Sequence, residues 1–162
     1  AAVRRGVRDV RWPGRFEALV VAEGPLAGGY LLDAAHNEDG ARALASAIRA
    51  ATEIASPVLV FGAMADKAWT DMVRLLAPMF RDRVYVSPSL RSPGRIAVPP
   101  ADLRSLDADG LCASTVREAL ALARGRAGLD STVVVAGSLC LVGEVRSMFL
   151  GHHEGSHAHV GL

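Results

Sequence analysis

Polar side chains follow three of the apolar runs that the sequence predicts to be buried strands. Asp33 and His36 come directly after the first of these runs. Lys67 and Ser138 come after two later ones. In an open α/β sheet, ligands bind just outside the carboxyl ends of the strands, so these side chains stand where chemistry is expected.

The residue types indicate which ligands such a site would take. A carboxylate such as that of Asp33 accepts hydrogen bonds from both hydroxyls of a ribose. An arginine binds phosphate or stacks on a base. Arg15 precedes the first predicted strand, so it joins this group only if that strand runs antiparallel to the next. The residues alone predict a site for a nucleotide and an anionic substrate.

Lysine is almost absent from this chain. Of the 18 basic residues, Lys67 is the only lysine and all others are arginine. A guanidinium cannot replace a compact ammonium at a tight phosphate or carboxylate site. Lys67 is therefore a candidate for binding an anionic substrate. The alternative is that Lys67 is a solvated loop residue without a ligand, retained by chance.

Composition narrows the class of protein. At 162 residues with 51% hydrophobic residues, the chain suits one domain with a sizeable core. A net charge of +1 gives no reason to expect a nucleic-acid or membrane partner. Cys112 and Cys140 lack metal-ligand spacing, so no metal site is expected, and reduced thiols without a signal-like segment predict a cytoplasmic protein.

Strand and helix periodicities alternate along most of the chain. They predict an α/β fold, with a Rossmann-like, mostly parallel sheet, helices on both faces and an antiparallel strand near the N-terminus. The predicted strands are Phe16–Ala22 and runs near Tyr30, Val58, Val84 and Val133. We expect residues 12–150 to form the domain, 1–11 to be a linker or tail of a missing region, and the His-rich 151–162 to be a flexible tail.

Neither of the common glycine-rich phosphate motifs, GxGxxG and GxxxxGK[ST], occurs. The missing GxGxxG pattern argues against an oxidoreductase domain that binds a dinucleotide. A non-catalytic nucleotide-binding or regulatory Rossmann-like module remains an alternative.

Four motifs occur in a characteristic order and spacing. Together they resemble the C-terminal domain of folylpolyglutamate synthase/dihydrofolate synthase, in the Mur ligase superfamily, over roughly residues 10–150. Ala34 and Glu38 stand where that family usually has Gly and Pro, and Cys140 stands where it tends to have Tyr. The motifs are Trp12-Pro13-Gly14-Arg15, Leu32-Asp33-Ala34-Ala35-His36-Asn37, Gly62 to Lys67, and Gly137-Ser138-Leu139 with Val142-Gly143-Glu144.

The resemblance implies a ligase that joins L-glutamate to dihydropteroate or a folate by way of an acyl phosphate formed with ATP. It implies that Arg15, Asp33 and His36 contact ATP. By analogy with glutamate-adding Mur ligases, it implies that Lys67 and Ser138 hold glutamate, with Lys67 also in a catalytic role. In the family the Mg²⁺ ligands belong to an N-terminal ATPase domain, so this chain is expected to be inactive alone.

Overall fold

The computed structural model describes residues 12–52, 54, 56–89, 94–128 and 131–151. The predicted linker at 1–11, and all but the first residue of the predicted tail at 151–162, lie outside these ranges. The strands are β1 (Glu17–Val21), β2 (Gly28–Asp33), β3 (Val58–Phe61), β4 (Asp82–Tyr85), β5 (Leu111–Cys112) and β6 (Val133–Ala136). The helices are α1 (Glu38–Ala50), α2 (Trp69–Leu76), α3 (Pro100–Ser105), α4 (Val116–Ala127) and α5 (Leu139–Leu150), with a 3-10 turn at Ala77–Met79.

The strands form one sheet in the order β1-β2-β6-β3-β4-β5. β1 pairs antiparallel with β2, and the other pairings are parallel. The predicted α/β class, the mostly parallel sheet and the antiparallel strand near the N-terminus are thus confirmed. The edge strand β5 was not predicted, because two residues are too few to show a strand period.

Helices cover both faces of the sheet, as predicted. α4 and α5 pack on one face, and α1, α2 and α3 pack on the other. The central strands β3 and β6 are entirely buried, and their successive side chains enter the two cores alternately. This explains why they appear in the sequence as uninterrupted apolar runs rather than as alternating patterns.

Two helix starts follow the capping signals of the sequence. Asn37 Oδ1 accepts from Gly40 N–H at 2.8 Å, and Thr115 Oγ1 accepts from Glu118 N–H at 3.1 Å. Both caps satisfy a backbone donor that the first helical turn leaves unpaired. Glu118 Oε2 in turn accepts from Ser114 N–H at 2.7 Å, one residue before the Thr115 cap. Among the described residues, no helix is both long and apolar enough to span a membrane.

Candidate functional site

The register of the sheet brings three strand exits to one edge. Asp33 at the end of β2 pairs with Ala136 at the end of β6, and Ala136 pairs with Phe61 at the end of β3. These three strands are adjacent and parallel, so the segments that follow them emerge side by side. The predicted site residues on these segments therefore share the carboxyl edge of the sheet.

Asp33 is buried and holds two backbone segments together. Its Oδ1 accepts from Ala35 N–H at 2.8 Å, and its Oδ2 accepts from Phe16 N–H at 2.9 Å. The first bond shapes the turn after β2, and the second fixes the segment that enters β1. Each carboxylate oxygen retains a second lone pair, so a ligand hydroxyl could still bind.

Arg15 and His36 meet at the carbonyl oxygen of Ala34. Arg15 Nη1 donates to it at 3.2 Å, and His36 Nδ1 lies 3.0 Å from it. A carbonyl cannot donate, so Nδ1 carries the proton, and in the neutral ring Nε2 is left as an acceptor. β1 is antiparallel, the condition under which Arg15 was expected to join Asp33 and His36. The structure brings these three residues together.

The turn that carries Arg15 requires an unusual backbone. Gly14 has φ +71°, and a Cβ there would lie 2.8 Å from Val142 Cγ1. Its carbonyl accepts from Ala34 N–H at 2.7 Å, so the turn is bound directly to the exit of β2. Phe16 is also left-handed, at φ +46°. For a bulky residue this conformation is strained, and the bond to Asp33 helps to hold it.

Two glycines let the exit of β3 lie close to the exits of β4 and β6. A Cβ at Gly62 would lie 2.2 Å from the carbonyl oxygen of Val86. Gly137 has φ +112°, and a Cβ there would lie 2.6 Å from the carbonyl oxygen of Gly62. Both motif glycines therefore have a steric role, which sets the spacing of the segments that carry Lys67 and Ser138.

Lys67 lies in the loop after β3 and faces partly toward solvent. Its Nζ is 3.4 Å from Asp66 Oδ2, and its side chain is 26% exposed. Arg95 approaches the same carboxylate oxygen with Nε at 3.9 Å. No sequence pattern marks Arg95 as a site residue, because it lies in a Pro- and Arg-rich loop without periodicity.

Ser138 is a buried helix cap. Its Oγ accepts from Leu141 N–H at 3.1 Å at the start of α5, and the residue is 2% exposed. The hydroxyl hydrogen remains available to donate. Ser138 shares the carboxyl edge with Lys67 but is far less accessible to a ligand than the Lys67 ammonium.

Neither of the two cavities described below is lined by Arg15, Asp33, His36, Lys67 or Ser138. The described residues contain no group of three or more His, Cys, Asp or Glu placed to hold a metal ion. A cavity of about 230 Å³ is lined by Val21, Glu23, Pro25, Leu26, Arg117, Met148 and Phe149. One of about 290 Å³ is lined by Val73, Arg74, Ala77, Pro78, Phe80, Arg83, Leu106 and Asp107.

The fold and the four motifs place this chain in a family. It belongs to the Mur ligase, glutamate ligase domain family, whose sequence model matches residues 14–139. The folylpolyglutamate synthase of Lacticaseibacillus casei is 32% identical over 150 residues, which cover 92% of this chain and 32% of that enzyme. The resemblance inferred from the motifs is confirmed.

Solved structures show the same fold. E. coli FolC in complex with ADP superposes with a TM-score of 0.76 at 25% identity, over 95% of this chain and 35% of that one. The bifunctional folylpolyglutamate synthase/dihydrofolate synthase of Yersinia pestis, complexed with AMPPNP and Mn ion, gives a TM-score of 0.72 at 26% identity. That match covers 91% of this chain and 33% of the other. This chain thus spans about a third of the length of these proteins.

Proposed function

We propose that this chain is the C-terminal domain of a cytoplasmic, ATP-dependent ligase that adds L-glutamate to dihydropteroate or to a folate. The observation that carries the proposal is the strand register at the carboxyl edge. It groups the nucleotide candidates after β2 with the glutamate candidate in the loop after β3. This grouping occurs in a chain of the glutamate ligase family, which favours a ligase over a non-catalytic module.

The nucleotide side of the site consists of Arg15, Asp33 and His36. The Arg15 guanidinium binds phosphate, and the remaining lone pairs of Asp33 accept from the ribose hydroxyls. His36 Nε2 accepts from a donor on the nucleotide. The structures of relatives with ADP and AMPPNP support a nucleotide as the ligand.

The glutamate side consists of Lys67 and Ser138. ATP phosphorylates the carboxylate of the acceptor, and the glutamate amine then attacks the acyl phosphate and displaces phosphate. Lys67 holds a glutamate carboxylate and stabilises the negative charge that develops during this attack. The Ser138 hydroxyl donates to the same substrate.

In our proposal, the remaining parts of the active site lie outside this chain. We assign the Mg²⁺ ligands and the phosphate-binding loop to an N-terminal ATPase domain that closes on this edge. Closure excludes water from the acyl phosphate, which would otherwise hydrolyse. The isolated chain is therefore inactive.

The proposal is tested by mapping ligands on the chain with ¹H–¹⁵N spectra. L-glutamate should shift the amides of the loop after β3 saturably, and ATP should shift those around Ala34. D-glutamate provides the control for non-specific ionic effects. The proposal would be contradicted if L-glutamate shifted amide resonances evenly over the surface. It would also be contradicted if L- and D-glutamate caused equal shifts.

A further inference from the structure

Three charged side chains meet at the loop after β3. Asp66 Oδ2 lies 3.4 Å from Lys67 Nζ and 3.9 Å from Arg95 Nε. All three are partly exposed, with 26% of the Lys67 side chain, 45% of Arg95 and 47% of Asp66 open to solvent. The cluster thus contains two cations and one carboxylate on the edge assigned to substrate.

Backbone pairing, rather than the ion pairs, places Arg95 beside Lys67. Ala65 N–H donates to the carbonyl of Ile96 at 2.8 Å, and Val98 N–H donates to the carbonyl of Ala63 at 2.9 Å. Met64 and Ala97 form an antiparallel bridge between these bonds. The segment with Arg95 is therefore fixed against the loop with Lys67, and the two cations are held together before any ligand arrives.

The contacts within the cluster are looser than those of a structural ion pair in the same molecule. Arg83 binds Asp107 with two hydrogen bonds, at 2.8 and 2.6 Å, and both side chains are largely buried. The distances of 3.4 and 3.9 Å around Asp66 exceed a charged hydrogen bond. Such exposed, long contacts add little to stability, so a structural role does not account for this arrangement.

The charges of the cluster are the inverse of those of glutamate. Glutamate carries two carboxylates and one ammonium, and the cluster offers two cations and one carboxylate. We propose that Arg95, with Lys67 and Asp66, forms the recognition site for the free amino acid. Lys67 and Arg95 bind one carboxylate each, and Asp66 binds the ammonium. The choice of glutamate as substrate rests on the proposed function above.

The chain offers variants that test Arg95 directly. Arg95→Gln removes one cation and keeps a polar side chain of similar length. Arg74→Gln is the control, because the ion pair that Arg74 forms with Asp71 on α2 is exposed. Dissociation constants come from ¹H–¹⁵N titrations with L-glutamate, with glutarate, which lacks the ammonium, and with L-glutamine and 4-aminobutyrate, which each keep one of the two carboxylates.

The wild-type chain should bind L-glutamate more tightly than either single-carboxylate analogue. Arg95→Gln should weaken glutamate binding about tenfold, since one charged hydrogen-bonding partner is lost. The preference for glutamate should disappear against the analogue that lacks the Arg95-bound carboxylate and persist against the other analogue. Asp66→Asn should remove the preference for glutamate over glutarate, because the ammonium of glutamate loses its carboxylate partner. Arg74→Gln should match the wild type.

The outcomes separate the two proposals. Glutamate binding in Arg95→Gln equal to that in Arg74→Gln overturns the assignment of Arg95 and leaves the proposed function standing. An equal loss for glutamate and for both single-carboxylate analogues also overturns it, since it would show a general charge effect. If L-glutamate shifts no resonance of the loop after β3 in the wild type, the proposed function itself fails.

Discussion

Asp33 shows how one side chain can have a structural role inside a candidate ligand site. The sequence predicts a ribose contact from its position at a strand end. The structure shows that both of its oxygens already accept backbone N–H groups, from Ala35 and from Phe16. The second bond stabilises the left-handed backbone of Phe16, which neighbours Arg15 in the chain. Asp33 therefore positions Arg15 whether or not a nucleotide is bound.

Asp33→Ala should destabilise the chain even without ligand. Loss of hydrogen bonds to a buried carboxylate is expected to lower the free energy of unfolding by about 2–3 kcal/mol. Urea denaturation measures this change. Glu23→Ala, at an exposed turn residue, is the control and should stay within about 0.5 kcal/mol of wild type. A fully stable Asp33→Ala variant would mean that the carboxylate is kept only for a ligand.

A second polar network lies away from the candidate site. Asp107 accepts from Arg83 and, at 2.6 Å, from Tyr85 Oη. Burial pushes the pKa of Asp107 upward, but the hydrogen bonds from Arg83 and Tyr85 outweigh it, so the pKa lies below its usual value. Burial, together with the bond to Asp107, raises the pKa of Tyr85. The network joins β4 to the segment after α3.

The lowered pKa of Asp107 gives a pH dependence of known sign. In the unfolded chain the pKa of an Asp is about 3.9, and in the folded chain the pKa of Asp107 is lower. The stabilisation that Asp107 contributes is therefore complete above about pH 4–5 and is lost as the pH falls through the folded pKa. Asp107→Asn should cost about 2 kcal/mol at pH 7. The difference in unfolding free energy between Asp107→Asn and wild type should shrink as the pH falls from 7 toward the folded pKa of Asp107. Urea denaturation at a series of pH values measures this difference.

Asp109→Asn is the matched control for this experiment. Asp109 lies 3.9 Å from the same Arg83, but its side chain is 93% exposed. Its replacement should leave both the stability and its pH dependence unchanged. A difference between Asp107→Asn and wild type that stays constant down to strongly acidic pH would show that the Asp107 pKa is not lowered.

The periodic elements of the fold follow from the sequence, and the aperiodic ones do not. β3 and β6 carry strong apolar patterns and lie where these patterns predict. Arg95 could not be assigned, because backbone bonds to the loop after β3 hold it in place, and sequence periodicity does not report such pairing. Ser138 was predicted only as a glutamate ligand, although a Ser before an apolar run is also the signal for a helix cap.

The loop that follows β3 requires a glycine at its first position. Gly62→Ala should destabilise the fold by about 3 kcal/mol or more, because the new Cβ would meet the carbonyl oxygen of Val86 at 2.2 Å. Gly143→Ala is the control, since that helical glycine has nothing within 4 Å of the Cβ position. It should stabilise α5 by about 0.5–1 kcal/mol. Thermal unfolding measures the stability of both variants. Equal changes in stability would refute the close approach of Gly62 to Val86.

In our proposal, the whole chain supplies only one side of a nucleotide site. It has no glycine-rich loop for the phosphates, so most of the charge of a triphosphate would stay uncompensated. We expect millimolar or weaker binding of ATP with Mg²⁺, at most about −4 kcal/mol, and no hydrolysis. Calorimetry on the 162-residue chain measures the affinity. A low-micromolar dissociation constant would favour the self-sufficient nucleotide-binding module instead.

The central claim is that this chain acts as the glutamate-adding part of a ligase. The most direct measurement is turnover by E. coli FolC in which this chain replaces the third of the enzyme that it matches. We predict ADP release that requires both L-glutamate and a folate-type acceptor, and that falls at least about tenfold with Lys67→Arg, because a forked guanidinium does not fit a tight carboxylate site. A folded, ADP-binding chimera without glutamate-dependent turnover, or a Lys67→Arg chimera as active as its parent, would contradict the claim.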